Sequence, residues 1–248
     1  MRYLLLSDVH SNIPALEKVL AAAGEHGYDR AIVLGDLVGY ASDPNETIER
    51  LRNLGCETTF IRGNHDRVAS GVEGDGQEFQ GDAREAALWT REHLSAKNLA
   101  FLRSLPKGPL MLSEEIELAH GSPADEDAYL LTQESISEAF AAQRGKICFF
   151  GHTHISLVVR LNGRTAEVRM PRGDSSTFQF ERENRYLINP GSVGQPRDQN
   201  PKAAYALYDP EKREIMFFRI AYDIAEAQRR ILEAGLPPAM AERLSYGL

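Results

Sequence analysis

Short strand-forming runs alternate with helix-period stretches over the first 62 residues. Tyr3 to Leu6, Ala31 to Leu34 and Thr58 to Ile61 have the length and composition of buried strands. Between the first two, Asn12 is placed to cap a helix predicted for Ile13 to Glu25, with Pro14 near its start and Gly27 just past its end. Asp43-Pro44-Asn45-Glu46 supplies an N-cap, a proline at the first helical position and a capping-box carboxylate, predicting a second helix through about Asn53. Strand, helix, strand, helix, strand is the signature of βαβ units with parallel pairing.

The stretch from Arg67 to Gln80 is polar and glycine-containing, and predicts a mobile loop. Helices are predicted near Asp82 to His93 and Ser95 to Ser104. Ile116 to Ala119 and Ile147 to Phe150 read as further buried strands, separated by a helix at about Glu134 to Gln143. After that the texture turns antiparallel. Leu157 to Leu161 and Thr165 to Val168 flank Asn162-Gly163 as a hairpin with a type I′ turn, and Tyr186 to Ile188, Ala203 to Tyr208 and Ile215 to Ile220 add strands. Helices at Asp223 to Ala234 and about Ala239 to Leu244 end the chain. With no repeat or composition break, residues 1–248 read as a single domain carrying a loop-helix insert at about 67–104.

Composition narrows the function classes. Of 248 residues, 42% are hydrophobic and 26% charged, which excludes collagen-like, coiled-coil and disordered architectures. A net charge of −8 repels polyanions and offers no counterion release, so long nucleic acid is not an expected partner. Cys56 and Cys148 each read as a buried thiol, consistent with a reducing cytoplasm, and no run is long enough for a signal peptide core or a membrane span. The expected location is cytoplasmic, with no membrane partner.

Five of the strand-like runs end in a polar cluster: Asp8-Val9-His10, Gly35-Asp36, Gly63-Asn64-His65-Asp66, His120-Gly121 and Gly151-His152-Thr153-His154. Ligands of α/β sheets bind beyond the carboxyl ends of strands, so five such clusters can converge on one crevice. Imidazoles, carboxylates and one amide form a nitrogen and oxygen donor set suited to Mn, Fe, Zn or similar ions, without thiolates. Seven candidate ligands, Asp8, His10, Asp36, Asn64, His120, His152 and His154, exceed one four-coordinate site and suffice for two ions sharing a carboxylate. A single Asp-x-His or Gly-Asp is more often a cap or a turn; the weight lies in the combination.

In order along the chain, the patterns D-x-H, G-D, G-N-H-[DE], a later H and G-H-x-H resemble the calcineurin-like metallophosphoesterase superfamily. Ala119-His120-Gly121-Ser122-Pro123 and Asn189-Pro190-Gly191-Ser192-Val193-Gly194 resemble its small bacterial and archaeal phosphoesterase branch. The resemblance implies an α/β fold, a four-layer αββα sandwich of two mixed β-sheets flanked by helices. It implies two divalent metal ions per chain, Mn2+ or Fe first, with Zn2+, Ni2+, Co2+ or Mg2+ as alternatives. Asp8, His10 and His154 would hold one ion, Asn64, His120 and His152 the other, and Asp36 would bridge them. His65 would be the catalytic histidine, Asp66 its orienting carboxylate, and Asn64 a phosphate contact as well as a ligand. The implied reaction is hydrolysis of a small phosphomonoester, phosphodiester or dinucleoside polyphosphate by in-line attack of a metal-bridging hydroxide.

Two alternatives accompany that expectation, a metal-dependent nuclease and a non-catalytic protein-binding scaffold of the same fold. The acidic charge weighs against the first, and the intact ligand set against the second. The expected partner is a small phosphorylated substrate, with homo-oligomerisation left open. His26 and His93 fall at predicted helix C-termini, where the dipole accounts for them. Arg172-Gly173-Asp174 is a chance triplet, and the acidic Glu73-Gly74-Asp75 reads as solvated loop. Asn189 to Arg197 is either a tight loop or a segment whose Arg197 reaches a phosphate.

Overall fold

A computed structural model describes residues 1–73, 79 and 81–248. Its strands are β1 (Tyr3–Leu6), β2 (Arg30–Val33), β3 (Glu57–Phe60), β4 (Leu110–Met111), β5 (Ile116–Leu118), β6 (Ile147–Phe149), β7 (Leu157–Asn162), β8 (Thr165–Arg169), β9 (Ser175–Gln179), β10 (Arg185–Asn189), β11 (Ala203–Asp209) and β12 (Glu214–Ile220). The helices are α1 (Ile13–His26), α2 (Pro44–Arg52), α3 (Asn64–Ser70), α4 (Asp82–His93), α5 (Ala96–Ser104), α6 (Gln133–Ala142), α7 (Ile224–Glu233) and α8 (Pro238–Glu242).

Two six-stranded mixed sheets face each other, ordered β3-β2-β1-β11-β12-β9 and β4-β5-β6-β10-β7-β8. The parallel parts are β1–β2–β3 in the first and β5–β6–β10 in the second. The residue-by-residue alternation of a strand explains the layering. Tyr3 and Leu5 on β1 point between the sheets, where they join Ile32, Phe149, Ile188 and Phe217. Leu4 and Leu6 point the other way, into a core with Leu16 and Val19 of α1 and Ile231 of α7. On the far face, Cys148 of β6 and Leu187 of β10 pack under Ile136 and Phe140 of α6. Helix, sheet, sheet, helix is the expected four-layer sandwich, and its parallel strands end at one edge.

The departures from expectation are local. Asn12 does cap α1, accepting from the Ala15 amide at 3.1 Å. Asp43 does not cap α2: its Oδ1 accepts instead from Arg230 of α7 at 2.9 Å, so a tertiary ion pair displaces the local bond. Arg67 to Ser70 belong to α3 rather than to a loop, while residues 74–78 and 80 of the expected mobile loop lie outside the described residues. In the β7–β8 hairpin Asn162 pairs with Thr165, so the turn residues are Gly163 and Arg164, and only Gly163 has positive φ (60°). That is one residue on from the expected Asn-Gly turn and is not type I′. The short β4 and the edge strand β9 were not expected.

Candidate active site

Each of the five clusters sits where a strand leaves the shared edge, and the chain turns sharply there. Asp8, His10, Asp36, His152 and His154 have φ of 52°, 50°, 51°, 64° and 59°. These values lie in the left-handed region, which costs an L-residue about 1–2 kcal/mol and which Asn, Asp and His tolerate best. The turns interlock: the Asp8 amide donates to the Gly35 carbonyl at 3.1 Å and the His10 amide to that of Asp36 at 3.0 Å. Gly35 is required by close approach, since a Cβ there would lie 2.7 Å from His120 Nδ1.

The donor atoms are aimed. Nδ1 of His10, His120 and His154 lies 3.1, 2.7 and 2.6 Å from the carbonyls of Val38, Leu34 and Gln195. A carbonyl only accepts, so these bonds place each ring's proton on Nδ1 and present the Nε2 lone pair to the site. Nε2 of His10 then faces Nε2 of His154 at 3.1 Å, and Nε2 of His120 faces Asn64 Oδ1 at 3.1 Å. Asp36 Oδ2 is 3.6 Å from His10 Nε2 and 3.3 Å from His120 Nε2, and like Asp8 Oδ2 it is buried with no hydrogen-bond partner among the described residues. Lone pairs converging on one another in a dry site need a cation between them. The donors form two groups, Asp8, His10, Asp36 and His154 in one, Asp36, His120 and His152 in the other.

The electrostatics agree. Burial holds the imidazoles of His10 and His154 well below their usual range and that of His152 at about 3, so these rings are neutral. Burial acts the same way on His120, yet the adjacent Asp36 carboxylate outweighs it and lifts the ring to about 10, so Nε2 takes up a proton where a metal cation would otherwise sit. Burial is also the main reason Asp8 rises to about 7.

His65 and Asp66 behave differently from expectation. Asp66 is not bonded to the His65 ring: its Oδ1 accepts from the Leu37 and Val38 amides at 2.9 and 3.2 Å, and its Oδ2 from the Gly63 amide at 2.9 Å. The carboxylate at the third position of α3 is drawn back to the helix start, tying it to the loop that follows Asp36. His65 Nδ1 is buried without a partner among the described residues, and the ring is held by Tyr40, His10 and Phe79 at centroid distances of 4.4, 4.9 and 4.5 Å. Burial lowers it to about 4. Gly39, at φ 98°, makes room, since a Cβ there would lie 2.5 Å from Nδ1.

His65 opens with Asn64, His152 and His154 onto a cavity of about 240 Å³ whose walls include Tyr40, Tyr129 and Arg197. A larger cavity of about 720 Å³, between α6 and the β7–β8 hairpin, holds none of the seven candidate ligands. His26 and His93 are the last residues of α1 and α4, away from the site.

The supporting residues come from segments the sequence leaves ambiguous. Asn189 Nδ2 donates to the Gly151 carbonyl (2.7 Å) and to Thr153 Oγ1 (2.9 Å), and Ser192 Oγ donates to the Asp8 carbonyl (2.7 Å). His152 Nε2 meets the Asp127 carbonyl at 3.1 Å, which leaves Nδ1 as its ligand atom, and the Tyr129 ring packs against it, tilted by 36°, with centroids 4.0 Å apart. Neighbouring Glu126 is buried between Arg62 and Arg67, with contacts of 3.1 and 2.5 Å. Tyr40, Tyr129 and Glu126 carry no motif; only Tyr40's place directly after Gly39 could have marked it.

The description of a calcineurin-like phosphoesterase superfamily domain matches residues 1–213 of the chain. The chain belongs to that superfamily. Over 249 residues, 98% of this chain and 97% of the other, it is 35% identical to the uncharacterized protein MJ0912 of Methanocaldococcus jannaschii. The crystal structure of a metallophosphoesterase from Sphaerobacter thermophilus superposes with a TM-score of 0.87 at 36% identity, each chain fully covered. Phosphodiesterase YfcE of Escherichia coli is 24% identical over 220 residues, 84% of this chain and 88% of that one. As a calcineurin-like metallophosphoesterase, the chain is a hydrolase of phosphoesters, and its buried Asp and His clusters have the make-up to hold divalent metal. No helix among the described residues is long and apolar enough to cross a membrane.

Proposed function

We propose that residues 1–248 form one phosphoesterase domain, with 67–104 as its insert, that uses two ions and acts on small phosphorylated substrates. Asp8, His10 and His154 hold one ion, and Asn64, His120 and His152 the other. Asp36 serves both. The observation that carries this reading is the single buried oxygen, Asp36 Oδ2, facing His10 Nε2 and His120 Nε2 from between the two donor groups. Manganese or iron suits the nitrogen and oxygen donors. The unpaired thiols of Cys56 and Cys148 support a reducing, cytoplasmic setting.

When bound, such ions lower the pKa of water and neutralise charge on the phosphoryl group. The chain supplies orientation and proton handling. Asn64 turns its Oδ1 toward His120, so its Nδ2 is the donor available to a phosphoryl oxygen. His65 faces the cavity from the helix start and hydrogen-bonds the departing oxygen, its ring fixed by packing with Tyr40. Asp66 fixes the backbone that carries His65 rather than its ring.

Metal analysis with a substrate panel tests this. Purified protein reconstituted with Mn2+ should hold two ions per chain and hydrolyse at least one of nitrophenyl phosphate, a nitrophenyl diester, a cyclic nucleotide or diadenosine tetraphosphate. One ion per chain at saturation, or degradation of single-stranded DNA much faster than any small ester, would contradict it.

A further inference from the structure

Arg197 is a cation without an anion. It lies after β10, partly buried in the cavity wall, and makes no ion pair among the described residues. Among the described residues its partners are neutral: Nη2 donates to Tyr40 Oη at 3.1 Å and Gln195 Oε1 at 3.0 Å, and the guanidinium also meets the Tyr129 hydroxyl. Its Nε is fully buried with no acceptor among the described residues. Buried charges in folded proteins are ordinarily paired, because an unpaired one forfeits hydration. Among the described residues, Arg62 and Arg67 share Glu126, and Arg219 holds Asp198. The guanidinium is also braced. The Tyr40 ring lies 5.6 Å below its Cζ, and Tyr40 itself packs on His65 at 4.4 Å.

Resting on the phosphoesterase reading above, we infer that Arg197 is the phosphate clamp of this site and sets its preference for phosphomonoesters of small alcohols. Asn64 and His65 come to the cavity from the start of α3 and Arg197 from the segment after β10, so the guanidinium faces a phosphoryl group from a second element of the wall. With His65 on the departing oxygen, Asn64 and Arg197 serve the non-bridging oxygens, and a monoester dianion places two charges on three such oxygens for the guanidinium to meet. A diester offers two such oxygens and one charge, and brings a second ester group that needs room. At about 240 Å³ the cavity falls below the roughly 300–1,000 Å³ of drug-sized ligand sites. Tyr40, Ala83 and Tyr129 wall it, so a dinucleoside polyphosphate is too large to be enclosed.

The test compares Mn2+-loaded wild type with Arg197→Gln and Arg197→Lys, in calorimetric titrations with inorganic phosphate and in turnover of nitrophenyl phosphate and methyl nitrophenyl phosphate. Ion content should stay at the wild-type value. Phosphate Kd should rise about 10- to 100-fold in Arg197→Gln, the loss of one or two charge-assisted bonds, with Arg197→Lys in between because it keeps charge but not the fork. kcat/KM should fall by the same factor on the monoester and by no more than about threefold on the diester. Unchanged phosphate affinity at normal ion content, or equal losses on both esters, would overturn the assignment. If Arg197→Gln does not fold, Arg197→Lys decides alone by its phosphate affinity. A wild type that binds phosphate but hydrolyses neither ester would refute the phosphoesterase reading, and the titration would still judge Arg197 by itself.

Discussion

Replacing Glu126 with alanine should destabilise the fold and loosen one side of the site together. The side chain is 4% exposed and stands between two arginines that are themselves 8% and 10% exposed. Breaking a buried pair by removing one partner costs about 3–5 kcal/mol, because the remaining charge is left in a dry place. Two half-exposed carboxylates soften that here, Glu73 at 2.9 Å from Arg62 and Asp127 at 3.0 Å from Arg67, each recovering up to about 1 kcal/mol. The net expectation is about 2–3 kcal/mol, which for a chain of this size lowers Tm by roughly 4–12 °C. The pH dependence has a definite sign. Burial opposes ionisation of Glu126, but Arg62 and Arg67 outweigh it, so its folded pKa is lowered below the unfolded value. Its contribution is therefore complete above about pH 4.3 and disappears as pH falls through the folded pKa. Calorimetric melts of wild type and Glu126→Ala should differ at pH 7 and converge in acid. Since the next residue's carbonyl holds His152 Nε2, the ion at His120 and His152 should also be lost first on chelator titration. A Tm difference under about 1 °C at pH 7, or one that persists unchanged in acid, would refute the reasoning.

Asp36→Asn should weaken both ion sites rather than one, read as fewer than one ion per chain by elemental analysis at metal concentrations that saturate the wild type. Gly39→Ala should leave ion content intact while lowering turnover by about tenfold or more, because the new Cβ displaces His65 and not a ligand; turnover within twofold of wild type would contradict that. His65→Ala should lower turnover by about 10² to 10⁴ on an alkyl phosphate and by less on nitrophenyl phosphate, whose leaving group needs no proton. Equal losses on the two would make His65 a charge stabiliser. Activity on a small ester should change little between 50 and 200 mM salt, since an acidic protein releases few counterions on binding it.

What the sequence made legible was whatever repeats a local rule. Strands β1, β2, β5 and β6 are short runs of mostly apolar, buried residues and β3 is a half-exposed Glu-Thr-Thr-Phe, and the ligand clusters stand just after them, so fold and site were read from the same five places. Three kinds of feature escaped. Helix α3 begins inside a cluster of site residues with Gly63 as its N-cap, and so shows no capping side chain. Strand β9 is Ser-Ser-Thr-Phe-Gln, too polar to signal burial, and takes its conformation from pairing with β12. Asp66 illustrates the third kind. Adjacency to His65 suggested a side-chain pair, but successive residues of a helix start point apart, and three backbone amides reach the carboxylate first. Tyr129 and Glu126 reach the site from a long irregular segment, where no period constrains position.

The five left-handed residues among the ligands set function against thermostability. Each pays its backbone cost whether or not an ion is present, and glycine at any of these positions would relieve about 1 kcal/mol of it. That relief competes with the side chain's own buried contacts, at His152 those with the Asp127 carbonyl and Tyr129, so a substitution that deletes a ligand gains stability only where the packing is kept. A directed-evolution campaign on this protein that screens only for survival on heating would drift toward stable, inactive variants. Coupling the screen to metal retention would keep these five positions fixed and push the gains into the helices of the outer layers, where no such conflict exists.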